Sequence, residues 1–401
     1  MNFYFNRKDD RLNIYMLVLA VYPVLNLYYF GGTSIYLPQV ITVLLFIYSL
    51  FKTKPIMRVV PWAYVLCWAY VAFHDIFFVF PFKITKLFPG GINFFLFSIA
   101  WALFASYFDI KKFRKYVYYV FLFAAVLFLY QNIMYYVLGQ GTSLILPVSD
   151  HLNYGDFTFS ELQYHQKTRF EGRFASIFAE PSYWAQYCVV ALCLELFSEE
   201  NQTKLLSRKA LLISIVLLAI QSGVGVLCLG LLMIIKLCQI VFVNKDISKL
   251  KYLVALLPVV LGAAYVYISS DIGQALVERG NNISSVQGEG GRSSFLRLFY
   301  GWEYLANQPI DTLIFGAEEF RSISADGDSF FNCASYFTLM HGVLGFSLLV
   351  LFYFISAKKN GLLAVTSALI LLSISMMEAI YLTPIMLILT VLVAVPHKQY
   401  Y

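Results

Sequence analysis

The chain has 401 residues, of which 60% are apolar and 13% charged, and its formal net charge is +6. Soluble domains carry roughly 25% charged residues, so this composition excludes a disordered chain and argues against a soluble multidomain enzyme. The positive balance does not point to nucleic acid, because Lys and Arg in membrane proteins mostly mark cytoplasmic loops.

A membrane span needs about 20 mostly apolar residues, and the apolar content accommodates about 12 of them. In chain order the expected spans are 13–30, 34–51, 59–77, 91–108, 116–138, 176–197, 208–221, 224–243, 252–269, 336–356, 361–377 and 379–395. The run from Asn13 to Phe30 is uncharged and lacks a cleavage pattern, so it reads as a first span that stays attached. The breaks at Arg7/Lys8/Arg11, Lys52/Lys54/Arg58, Lys111/Lys112/Arg114/Lys115, Lys204/Arg208/Lys209, Lys245/Lys249/Lys251, Lys358/Lys359 and Lys398 are basic. They fall at alternate breaks and at both termini, and hold most of the 29 Lys and Arg. The positive-inside rule then places both termini in the cytoplasm and favours an even number of spans. Lys236, near the inner end of the eighth span, is expected to be buried and to snorkel. Of the six cysteines only Cys333 is expected in an external loop, and no CxxC or Cys/His metal spacing exists.

Two loops are long, Gly139 to about Ala175 and Ser270 to Ser335, and both land outside. Loops of this size in a compact protein are usually functional or disordered. These are rich in aromatics, among them Tyr154, Phe157, Tyr164, Phe295, Trp302 and Phe320, and so read as ordered. The expected architecture is a single integral membrane domain, 1–401, all-α and polytopic, with external elaborations at 139–175 and 270–335.

The external loops concentrate arginine: Arg169, Arg173, Arg279, Arg292, Arg297 and Arg321. Guanidinium offers a planar fork matched to phosphate oxygens, whereas ammonium is a point charge. Their placement suggests an anionic ligand at the outer surface. Equally, they could pair with external acids such as Asp150, Asp156, Glu161, Glu171, Glu289 and Glu303.

The most informative segment runs from Arg173 through Glu180-Pro181-Ser182 to Ala185. Pro181 fits the first position of a helix, where its missing N–H has no intrahelical partner. Glu180 then falls at the cap, where the helix dipole favours an ionised carboxylate. If the preceding stretch were also helical, Arg173 and Glu180 would share a face, with Arg169 one turn further out. A capped helix with a structural ion pair is the alternative reading of the same spacing. In the second loop, Gly288-Glu289-Gly290-Gly291-Arg292-Ser293-Ser294 is a possible anion nest without Walker spacing. The stripe Phe295, Leu298, Phe299, Trp302, Leu305 and Ala306 marks an amphipathic helix on the membrane face, carrying Arg292 and Arg297 near headgroups. The five histidines show no metal spacing. Ser222-Gly223-Val224-Gly225 reads as a tight turn, and Gly342, Gly345 and Gly361 suit close helix packing.

Together these pieces resemble the O-antigen polymerase and ligase superfamily, specifically the Wzy-type polymerases. Arg173-x-x-Ser176-Ile-Phe-x-Glu180-Pro181-Ser182-x-x-Ala185 follows the first long loop and opens a span. Gln221-Ser222-Gly223-Val224-Gly225 resembles the family's short serine–glycine turn. Gly291-Arg292-Ser293, Trp302, Pro309 and Phe315-Gly316 resemble the second loop, and Asp328-Ser329-Phe330 with Gly342-Val343-Leu344-Gly345 resembles its exit. Ligases of the superfamily carry a catalytic His where that loop re-enters the membrane. None lies between Ser270 and Ser335 here, which favours polymerase.

The resemblance implies a glycosyltransferase in the bacterial cytoplasmic membrane with an extracytoplasmic active site. Its substrates would be undecaprenyl-pyrophosphate-linked oligosaccharide repeat units, polymerised into O-antigen, capsule or exopolysaccharide. Arg169, Arg173, Arg292 and Arg297 are the expected pyrophosphate-binding residues. Glu180, then Asp328, is the expected catalytic carboxylate. Metal independence and no cofactor are expected. The expected partners are membrane lipid, a flippase and a chain-length regulator, and no nucleic acid. A ligase is the nearer alternative. A secondary transporter is the more distant one, and it would need broken helices and charges at mid-membrane.

Overall fold

The computed structural model describes residues 12–28, 36–52, 66–67, 69–71, 73–74, 84–144, 174–244, 301–316, 332–377 and 383–395. Regular structure among the described residues is helical, with no strand. The main helices are α1 (Leu12–Leu25), α2 (Leu37–Lys52), α3 (Ile84–Ser106), α4 (Ile110–Tyr136), α5 (Pro181–Leu196), α6 (Arg208–Ala219), α7 (Gly223–Cys238), α8 (Ile310–Phe315), α9 (Cys333–Asn360), α10 (Leu362–Ser375) and α11 (Pro384–Ala394). Apart from the short α8, each overlaps an expected span. The expected span 252–269 lies outside the described residues, as do most of 59–77 and of both long loops.

Among the described residues, three stretches are long and apolar enough to cross a membrane: Ile110–Tyr136, Gly223–Phe242 and Cys333–Asn360. Shorter apolar helices, such as Leu362–Ser375 and Pro384–Ala394, pack around them.

Helix α4 shows why such a chain suits a bilayer. Asp109 caps it, its side chain accepting from the Lys111 and Lys112 amides at 3.0 and 3.2 Å. Phe113, Val117, Phe121, Ala124, Phe128 and Gln131 form a buried stripe at three- and four-residue spacings. The opposite face carries Tyr119, Phe123, Val126, Leu129, Ile133 and Tyr136, all exposed. A soluble protein rarely leaves an apolar face of this extent open to water, whereas hydrocarbon accepts it. At 27 residues the helix is about 40 Å long, against a hydrocarbon core of about 30 Å.

The bundle is organised around α5. It packs against α4, α6, α7, α10 and α11. Pro181 and every residue from Trp184 to Leu196 are buried. A helix apolar on all faces is stable only when it is surrounded. The Tyr187 hydroxyl donates to the Ala20 carbonyl at 2.9 Å, tying α5 to α1. Gly225 lets α7 approach: a Cβ there would sit 3.1 Å from the Ala185 Cβ and 2.8 Å from Leu217 Cδ1.

Helix α9 is not continuous. Gly342 adopts φ 71°, ψ 173° inside it, a backbone state open essentially to glycine alone. The expected span 336–356 therefore contains a break that its apolar content does not signal. Cys333, expected in an external loop, is instead buried at the start of this helix, where the Asn332 side chain accepts from the Ser335 amide at 2.8 Å.

Candidate functional site

Pro181 opens α5, and Glu180 is its N-cap with extended φ −139° and ψ 154°. Proline disfavours the helical conformation of the residue before it, which sets the boundary at Glu180. The Glu180 carbonyl accepts from the Trp184 amide at 3.2 Å, but its side chain makes no capping bond. The carboxylate is exposed and accepts from the Ser182 hydroxyl at 3.3 Å. It thus sits exposed at the positive end of the helix dipole.

The segment before it, 174–180, is turned rather than helical. A shared helical face for Arg173 and Glu180 is therefore not formed. The helical path breaks at Ser176, which has φ 54°, in the left-handed region. Tertiary contacts hold it there. The Ser176 hydroxyl donates to the Ala124 carbonyl at 2.7 Å, and its amide donates to Gln131 Oε1 at 2.9 Å. Gln131 Nε2 in turn donates to the Thr142 carbonyl at 3.1 Å. Aromatic contacts complete the anchor. Trp184 stacks against Phe178 (5.1 Å between ring centroids) and Phe121 (5.7 Å). Phe174 meets Tyr135 edge-on at 5.4 Å. Sequence reasoning missed Gln131; its signal is a lone polar residue on the apolar stripe of α4.

A second convergence joins two motif glycines. Gly316, with φ 86°, ends α8 and lies directly against the break in α9. A Cβ on Gly316 would collide with the Met340 carbonyl, and one on Gly342 with the carbonyls of Ile314 and Phe315. The two backbones therefore touch with no side chain between them. Beside them, Leu305 and Leu339 are buried together with Trp302, Tyr304, Leu313 and Tyr336 around them. Residues 301–306 are helical, as the apolar stripe anticipates, although Ala306 is exposed. His341 precedes the break. Its carbonyl accepts from the Tyr70 hydroxyl at 2.9 Å, and its ring meets His74 edge-on at 5.3 Å.

The far end of α5 is built differently. Glu195 is buried, and its Oε1 accepts from Asn201 Nδ2 at 2.9 Å and from the Ser207 hydroxyl at 3.0 Å. Lys236 does not snorkel. It is fully buried, donating to the carbonyls of Asn201 and Gln202 at 2.8 and 3.2 Å and to Gln239 Oε1 at 2.9 Å. The loop after α5 folds back over it, and a π-helical turn, Gln239–Val243, follows on α7. At the surface, Arg114 bonds Glu200 at 2.7 Å and holds that carboxyl below its usual range, with Lys209 and Lys111 adding to the effect.

Of the expected site residues, Glu180 alone is described; Arg169, Arg173, Arg292, Arg297 and Asp328 lie outside the described residues. Among the described residues no group of three or more His, Cys, Asp or Glu side chains is placed to hold a metal ion. No protein-family model, curated protein or solved structure matches the chain.

Proposed function

We propose that this protein is a polysaccharide polymerase of the bacterial cytoplasmic membrane, with about 12 spanning helices, both termini inside and the active site outside. It joins oligosaccharide repeat units carried on undecaprenyl pyrophosphate. A hydroxyl of one lipid-linked unit attacks the anomeric carbon of another. The new glycosidic bond forms as the bond to pyrophosphate breaks, and undecaprenyl pyrophosphate leaves with the electron pair. The hydroxyl proton passes to a carboxylate and on to solvent. A flippase that delivers units and a chain-length regulator are the natural partners.

The observation that carries this reading is the Glu180–Pro181 junction. An exposed carboxylate stands at the N-terminal end of a largely buried helix, seven residues after an arginine. Charge developing on a leaving pyrophosphate is stabilised by fixed cations, the role assigned to Arg169, Arg173, Arg292 and Arg297. A hydroxyl nucleophile needs a base within reach, the role assigned to Glu180, with Asp328 second. Glu180 orients the acceptor hydroxyl and receives its proton as the new bond forms.

The decisive experiment supplies purified protein with lipid-linked repeat units. A ladder of longer lipid-linked glycans is expected. Transfer of finished glycan to a different acceptor, without chain growth, would instead identify a ligase.

One observation favours a different class. A helix broken at a glycine, as α9 is at Gly342, is a feature of secondary transporters. Proteoliposomes that move a solute down an imposed ion gradient, yet make no ladder, would establish that class.

A further inference from the structure

We infer that Gln131 and Ser176 are the positioning residues of this site: together they fasten both stems of the first long loop to α4 and so fix where Glu180 stands. The inference rests on the polymerase reading for what is positioned, and on geometry alone for the fastening.

The primary amide of Gln131 uses both ends. Its nitrogen holds the Thr142 carbonyl, shortly after the loop begins, and its oxygen holds the Ser176 amide, where the loop returns. Gln131 and Ser176 are both buried. One side chain therefore closes a loop whose intervening residues number more than thirty. A buried polar group in a bilayer helix is retained only where it is fully satisfied, because hydrocarbon offers no substitute partner.

Ser176 adds a second argument. Its φ of 54° is a conformation in which glycine would be unstrained. Serine is instead held there by two hydrogen bonds to α4, one from its hydroxyl to Ala124 and one from its amide to Gln131. Strain that is over-determined by its surroundings clusters at functional sites. Here it aims the chain into the Phe178–Trp184 stack and delivers Glu180 at the mouth of α5. Arg173 precedes the fastened point by three residues and Glu180 follows it by four. A slip at Ser176 moves the carboxylate directly, and misplacement by about 1 Å can cost a reaction roughly 10²-fold.

Two measurements test this in the full chain, in nanodiscs. Hydrogen exchange across 174–180 reads the fastening without reference to activity. Gln131→Leu is expected to speed exchange there while α4 and α5 stay protected; unchanged exchange overturns the fastening. Initial rates on lipid-linked repeat units read the positioning. Gln131→Leu and Ser176→Ala are each expected to lower kcat per folded molecule about 10²-fold, with KM little changed. Gln131→Glu supplies the control. Its protonated carboxyl supplies the one donor and one acceptor that the Gln131 amide uses here, so its kcat relative to wild type should recover as pH falls. Lowered thermal stability with wild-type kcat, or no recovery of Gln131→Glu at low pH, overturns the positioning role. Wild-type protein that makes no glycan overturns the polymerase reading and with it the role, while the exchange result still decides the fastening.

Discussion

The two ends of α5 each carry a glutamate, and the two are treated in opposite ways. Glu195 is enclosed, with Asn201 and Ser207 donating to it, and Lys236 is buried among carbonyls in the same loop region. Glu180 is exposed, with a hydroxyl two residues away. At one end the ionisable groups are consumed in holding a turn against the bundle. At the other, the surroundings are held rigid by uncharged groups, Gln131, Ser176 and the Trp184 stack, and the carboxylate is left open. A residue type therefore says little about role; what its hydrogen-bonding capacity is already spent on says more.

The sharpest way to break this contrast is Glu180→Gln. Under the proposed chemistry, polymerisation falls by about 10²–10⁴-fold while thermal stability is unchanged; full activity removes Glu180 from the reaction. Gly342→Ala comes next. The new methyl group meets the Ile314 and Phe315 carbonyls in a backbone state hostile to L-residues, so we expect a loss of about 3 kcal/mol or a failure to fold, read by thermal unfolding in detergent. Lys236→Met, at the enclosed end, strips the Asn201 and Gln202 carbonyls and Gln239 of their donor. A loss of about 2–3 kcal/mol is expected, and a variant as stable as wild type would show that these carbonyls find water.

The smallest effect concerns Arg114 and Glu200. The arginine lowers the Glu200 pKa in the folded state, so its contribution is present above the unfolded carboxylate pKa and is lost as pH falls through the lowered folded value. Because Glu200 is exposed, Arg114→Ala should cost no more than about 0.5 kcal/mol near neutral pH. The difference from wild type should vanish in acid, where a persisting difference would point to packing rather than charge.

Much of this arrangement is legible in the residues themselves. Apolar runs bounded by basic clusters locate the helices, and Pro181 marks the start of α5 and the cap at Glu180. The misses share a cause. Ser176 adopts its left-handed turn because Ala124 and Gln131, about fifty residues earlier, hold it, and no local propensity reports that. Lys236 stays out of water because the loop after α5 covers it. The break in α9 falls at a glycine that also reads as ordinary close packing, and what forces it is the chain from α8 lying across it. Apolar run length also overstates helix length, so that several helices on expected spans stop short of bilayer thickness.

The meeting of Gly316 and Gly342 carries a mechanical consequence. Where two elements touch through side chains, rotamers give and displacement is absorbed. Here main chain lies on main chain, so there is no slack between them. A displacement of α8 is therefore passed to the α9 backbone at Gly342 rather than taken up by rotamers.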